Sequence, residues 1–201
     1  MIDLQYIPNT LLKPAEPDRL RRLENWWSRY LERRVKLPAA YVEHHTQFHG
    51  GAPGKACFPT LAGETRRVGR FFHLLEKTDF PNRGIPSWRP SWGSEWDFLL
   101  DYQVRTYLKS EYWAMRLQEH DESFDLLPIA GLCHPVTAGS PLEAHSLDEE
   151  DDYDLLCLDY FGRKAEPLVV IWKFATMWSE PPVLQPVAGC FAEFLELLDH
   201  C

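Results

Sequence analysis

Three histidines, His44, His45 and His49, stand just ahead of Gly50, Gly51, Ala52, Pro53 and Gly54, and Cys57 follows. Three chemistries compete for this stretch: a metal site, a phosphate-cradling loop, or a turn required by the fold. On a helix, His45 and His49 project to one face, and Cys57 or Glu43 could add a ligand, which would make a metal-dependent enzyme. Against this, His49 abuts the glycines where the helix should end, and no H-E-x-x-H or second ligand cluster exists. Histidines on a half-exposed helix are the plainer reading. The phosphate loop fails on spacing, because Lys55 is not part of a G-x-x-x-x-G-K-[ST] pattern and a helix, not a strand, precedes it. Ser140 and His145 lack the G-x-S-x-G context of a hydrolase elbow. The expectation is therefore no catalytic residue, no metal and no cofactor. Gly50 and Gly51 are left with a geometric role, a positive φ or a close approach of backbone.

The acidic residues point elsewhere. Between Leu117 and Gly162 there is no Lys or Arg, while Glu119, Asp121, Glu122, Asp125, Glu143, Asp148, Glu149, Glu150, Asp151, Asp152, Asp154 and Asp159 contribute minus 12. The chain carries minus 9 overall, hence plus 3 elsewhere. Such a surface repels nucleic acid and attracts basic proteins, with the attraction screened over roughly 10 Å at moderate salt.

At 201 residues, 45% hydrophobic and 25% charged, the chain has the composition of one globular domain. No apolar run reaches the length of a membrane span, and residues 1–17 do not read as a secretory signal, so a cytoplasmic protein is expected. Cys57, Cys133, Cys157, Cys190 and Cys201 are scattered, with no Cys-x-x-Cys pair, and are expected as reduced, mostly buried thiols.

The elements that must position these residues follow from periodicity. Leu20, Leu23, Trp27, Tyr30 and Leu31 mark an amphipathic helix over 17–35, and Pro38 suits the start of a short helix ended by the Gly-Gly turn. A strand-like piece covers 66–75. The prolines and glycines of 79–93 argue against regular structure, and Ser94 then caps a helix to about Glu119. "DLLPIAGL", "DLLCLDYF" and "PLVVIWKF" read as strands, the last two as antiparallel neighbours. Phe191, Phe194, Leu195 and Leu198 give a closing helical stripe. The fold class is α+β: a single domain with an antiparallel or mixed sheet backed by N-terminal and C-terminal helices, and a helical insertion near 81–120.

In this order, "LPAAYVEHHTQFHGGAPG", "VGRFFHLLE", "LLPIAG", "LLCLDYFG", "EPLVVIWKF" and "VAGCFAEFLELL" resemble the segments of the SUKH superfamily, the fold of fungal cell-wall synthesis regulators and many bacterial immunity proteins. The resemblance covers about residues 37–198, in a single domain spanning 1–201. Its structural words fall on Leu37, Pro38, Tyr41, Gly50, Gly51, Cys157, Leu158, Phe191, Phe194 and Leu195. The chain departs from the pattern at His49, where Asn is usual, at Cys190, where Ser opens the last helix, and at Tyr153-Asp154, in place of Gly-Asp. It is also longer at 81–120 and in the acidic loop, 134–152.

The resemblance implies a non-catalytic protein-binding domain, used in bacteria to neutralise a cognate toxin, often a nuclease. A nuclease presents a cationic cleft to phosphate, so an acidic surface competes for it. Aromatic residues are common interface anchors. The expected partner-binding residues are Trp88, Trp92 and Trp113 with Glu143, Asp148, Glu149, Glu150, Asp151, Asp152 and Asp154, and the expected partner is a basic toxin domain, with no nucleic acid and no membrane. The alternatives are a regulatory scaffold of the same fold that binds a cellular protein, and the metal-dependent enzyme above.

Overall fold

Pro17 opens the first helix, α1 (Pro17–Tyr30), where its missing N–H costs nothing. Leu20 and Trp27 face inward, and Leu23, Trp26, Tyr30 and Leu31 pack partly buried beside them. The helix stops five residues before the expected end, because Glu32 takes a φ of 50° and turns the chain. Pro38 caps α2 (Ala39–Phe48), and Gly50, at φ 66°, turns the chain beyond it as the glycines suggested. The computed structural model describes residues 2–7, 10–12, 14–74, 125–133, 154–162, 165–173 and 183–201. The expected irregular passage 79–93 and the helix 94–119 lie outside these.

Among the described residues six strands follow: β1 (Cys57–Pro59), β2 (Thr65–Phe71), β3 (Leu126–Cys133), β4 (Leu155–Asp159), β5 (Leu168–Lys173) and β6 (Val183–Ala188). They form one sheet in the order β1-β2-β3-β4-β5-β6, every pair antiparallel. The three strands read from the apolar runs are β3, β4 and β5, and β4 and β5 are the expected neighbours, with Cys157 opposite Val170. All eight residues of β3 are buried, so both faces of this strand are covered. Such a strand shows as a continuous apolar run rather than an alternation.

β1 and β6 were not expected. β6 contains Pro186, which has no N–H to donate, and Pro is tolerated here because β6 is the last strand of the sheet. The closing helix, α3 (Phe191–Leu197), packs against α2, β1, β5 and β6. Phe191 meets Tyr41 edge-on at 5.3 Å, and Phe194 meets Phe58 at 5.2 Å. Both phenylalanines are fully buried, and truncating either to Ala should remove about 3–5 kcal/mol. Cys190 caps this helix without a side-chain hydrogen bond, and instead Glu193 Oε2 accepts from Gly189 N–H at 2.9 Å.

The expectation of five reduced thiols needs correction. Cys57 and Cys201 are joined by a disulfide, 144 residues apart in sequence. The pairing comes from the sheet: Cys57 and Asp199 exchange both backbone hydrogen bonds, at 2.9 and 2.8 Å, which brings Cys201 to the β1 edge. Spacing along the chain carries no trace of such an arrangement. Cys133 and Cys157 are free and buried, Cys190 free and half-buried, and burial pushes the Cys133 and Cys157 thiols up. Among the described residues no helix is long and apolar enough to cross a membrane.

Candidate functional site

The strand register gives the sheet two ends. At one end stand Thr65, Cys133, Leu155, Lys173 and Val183; at the other, Leu126, Asp159, Leu168 and Ala188. The acidic run 148–152 lies between Cys133 and Asp154, both at the first end. In sequence, the stretch holding Trp88, Trp92 and Trp113 lies between Leu74 and Asp125, which follow β2 and precede β3 at the second end. Eight residues of β3 separate the two, roughly 25 Å of extended chain. The single acidic strip of the sequence therefore has two roots. Trp88, Trp92, Trp113, Glu143, Asp148, Glu149, Glu150, Asp151 and Asp152 themselves lie outside the described residues.

Asp154 is described, and it faces inward. Its Oδ2 accepts from Arg66 Nη2 at 2.6 Å, with side chains 12% and 5% exposed. The same guanidinium donates to the Cys133 carbonyl at 3.5 Å, and Leu132 N–H donates to Asp154 O at 2.9 Å. The carboxylate expected on the partner-facing surface thus pins the two flanks of the acidic run to β2. Asp125 does comparable work at the second end. It pairs with Arg33, which also donates to the Tyr160 carbonyl, while Tyr160 N–H donates to Asp125 O at 2.8 Å. Asp159 accepts from Phe161 N–H within its turn.

The histidine stretch also departs from expectation. His44, His45 and His49 are not half-exposed but buried, and His73, which follows β2, is buried with them. Two backbone groups fix the direction of their hydrogen bonds. The Phe72 carbonyl lies 3.0 Å from His45 Nε2, so that nitrogen carries the proton. Neutral His45 then offers Nδ1 as an acceptor to His44 Nδ1, a long contact of 3.5 Å. His44 Nε2 is left to accept from the Tyr6 hydroxyl. Separately, Leu74 N–H donates to His49 Nε2 at 2.7 Å. Burial, with His49 nearby, pushes His44 down to about 3; burial and its two neighbouring histidines hold His45 well below the usual imidazole range. Tyr6 and Tyr41 are raised by burial.

Lone pairs committed in this way do not converge on a point. Among the described residues no group of three or more His, Cys, Asp or Glu side chains is arranged to hold a metal ion. Cys57, the ligand suggested by sequence, is in the disulfide.

The glycines after the histidines carry a second segment. Residues 2–7 and 10–12 run across them: Ile7 N–H donates to Ala52 O, Leu12 N–H to His49 O, and Gly54 and Lys55 N–H to Leu4 O, at 2.9 to 3.0 Å. Tyr6 stacks on Phe48 with ring centroids 4.9 Å apart. A Cβ on Gly51 would sit 2.5 Å from Tyr6 Cδ1 and 2.7 Å from Leu11, and one on Gly54 would strike the Gln5 carbonyl. Gly51 is therefore a close-approach glycine, not a positive-φ one. Arg70, 8% exposed, closes the arrangement by donating to Gly50 O at 2.5 Å and to Thr10 O at 3.1 Å.

No protein-family model, curated protein or solved structure matches this chain. The geometry has to stand by itself.

The structural words of the sequence land in the core or its turns. Leu37, Tyr41, Cys157, Leu158, Phe191 and Phe194 are buried, Leu195 packs partly buried on the core, and Pro38 caps α2. Sequence reasoning missed Tyr6, Arg66, Arg70 and His73. Arg66 and Arg70 fall, with Val68, on the buried face of β2 at a spacing of two, and that spacing was the available signal, since a buried cation demands designed partners.

Proposed function

We propose that the chain is a non-catalytic protein-binding domain of the immunity type, which neutralises a basic, nuclease-type toxin domain through the acidic run 148–152. The observation that carries this reading is the division of the acids. Asp125 and Asp154 are spent inside the fold on Arg33 and Arg66, whereas Asp148, Glu149, Glu150, Asp151 and Asp152 form a run of five immediately before the anchored Asp154. A concentrated charge rooted on a rigid strand steers a cationic partner and holds it in one orientation. The segment order resembling the SUKH superfamily supports the same reading.

Converting the five acids together to Asn and Gln tests it. Association with a cationic nuclease domain encoded beside this chain should slow, and its salt dependence should flatten. An unchanged association rate across salt would overturn the role of the run. Failure of the unaltered chain to bind or inhibit that domain would overturn the immunity reading as a whole.

A further inference from the structure

We propose that the Cys57–Cys201 disulfide is a thiol-exchange site: a low-molecular-weight thiol attacks it at Cys201, Arg67 stabilises the departing Cys57 thiolate, and the exchange frees residues 199–201 from β1. The two halves of the bond are placed differently. Cys57 is 4% exposed within β1, whereas Cys201 is exposed, so an incoming thiolate meets the Cys201 sulfur. The β1 half is fixed by the sheet: Val68 N–H donates to Ala56 O at 2.9 Å, and Phe58 packs edge-on against Phe194. The other half is held more lightly. Leu198 is buried, but Asp199, His200 and Cys201 beyond it are exposed. Among the described residues their links to the fold all go to Cys57, through the paired backbone hydrogen bonds of Asp199 and through the disulfide. The Asp199 carboxylate accepts from His200 N–H within the same segment.

The register supplies the cation. Both backbone groups of Cys57 point at Asp199, so towards β2 Cys57 and Arg67 form the non-hydrogen-bonded kind of antiparallel pair, whose side chains share a face and stand closest. Arg66, the next residue, is turned to the other face and committed to Asp154. Arg67 is half-buried, and among the described residues its buried Nε has no hydrogen-bond acceptor. A cation beside a sulfur favours its thiolate and makes it the better leaving group. On its far side Arg67 stands opposite Cys133, a free thiol, but Cys57 and Cys133 are two strands apart, about 10 Å, beyond the reach of a disulfide. Reshuffling onto Cys133 is therefore closed, and exchange proceeds with an external thiol. In the first step the reagent's thiolate bonds to Cys201 Sγ as the S–S bond breaks, and the bonding pair leaves on Cys57 Sγ. A second thiol then displaces the reagent from Cys201 and departs with it as a disulfide. One disulfide is reduced and one is formed, and the two thiol protons end on Cys57 and Cys201.

The test treats the folded full chain with reduced glutathione, traps free thiols by alkylation and maps the peptides. Glutathione should be found on Cys201 with the alkyl group on Cys57, about tenfold or more over the reverse pattern, and in the urea-unfolded chain the two patterns should become equal. Arg67→Met should slow the reaction about threefold or more, because an opposite charge lowers a thiol pKa by about one unit or more and a lower-pKa thiol leaves faster. Arg67→Lys keeps the charge and should keep most of the rate. After full reduction with dithiothreitol, hydrogen exchange should find the Asp199 amide unprotected while the β4–β5 ladder stays protected. A disulfide that resists glutathione, equal attack at both sulfurs of the folded chain, an Arg67→Met protein reacting at the unaltered rate, or an Asp199 amide still protected after reduction would each overturn the proposal. The peptide mapping uses the unaltered chain, so it decides the point of attack whether or not Arg67→Met folds. None of these outcomes depends on whether a toxin domain binds.

Discussion

Arg66 and Arg70 sit on the same strand, 4% and 8% exposed, and their guanidinium groups meet different kinds of acceptor. Arg66, at the end that anchors the acidic run, meets the carboxylate of Asp154. Arg70, towards the other end, donates to the carbonyls of Gly50 and Thr10. One buried cation meets the charge of Asp154, just ahead of β4, and the other donates to carbonyls of two segments it thereby staples together. The first contact is stiff and local to the sheet. The second couples β2 to the turn after α2 and to Thr10 of the N-terminal segment.

The sharpest way to break this comparison is to remove the carboxylate. Asp154→Asn leaves Arg66 charged, buried and short of its counter-ion, and should cost about 3–5 kcal/mol in urea denaturation. Adding Arg66→Met to that variant should restore most of the loss, since an apolar pair carries no desolvation penalty. At the other end, Arg70→Met leaves the two carbonyls without this donor and should cost about 2–3 kcal/mol. Gly51→Ala forces Tyr6 and Leu11 away from the turn after α2 and should cost about 1–3 kcal/mol, expressed first as lost hydrogen-exchange protection of the Ile7 and Leu12 amides.

The mildest probe is pH. His44 has its folded pKa pushed down to about 3 from 6.5 by burial, so below pH 6.5 the unfolded chain binds the extra proton. Its contribution to stability is complete above 6.5 and is lost as pH falls towards 3, at about 1.4 kcal/mol per unit. A stability profile that stayed flat from pH 7 to 5 would remove the buried histidines as its source.

Much of the fold was legible because burial leaves simple traces. β3, β4 and β5 appear as apolar runs since both their faces are covered, and α1 and α3 appear as stripes of period 3.6. β1 has only three residues, too few for any period, and Pro186 disguises β6. The Cys57–Cys201 pairing depends on a strand meeting a segment 144 residues away, which no local pattern encodes. Thiol titration under denaturing, non-reducing conditions should count three thiols rather than five. Oxidising compartments preserve such a bond, so this count also bears on the expected cytoplasmic location. For the histidines, the residue types and their turn were legible, but their burial was not, because the covering residue, Tyr6, comes from 38 positions upstream.

The antiparallel order has a consequence for the growing chain. Every strand of the sheet pairs with its sequence neighbour, so pairing can proceed from β1 towards β6 as residues emerge from the ribosome. The outer side of β1 is the exception. Its backbone partner is Asp199 and its covalent partner Cys201, so that edge stays unpaired until all six described strands have been synthesised. An open strand edge in a nascent chain is where a second copy can pair. The brevity of β1, at three residues, limits how much of it there is to pair.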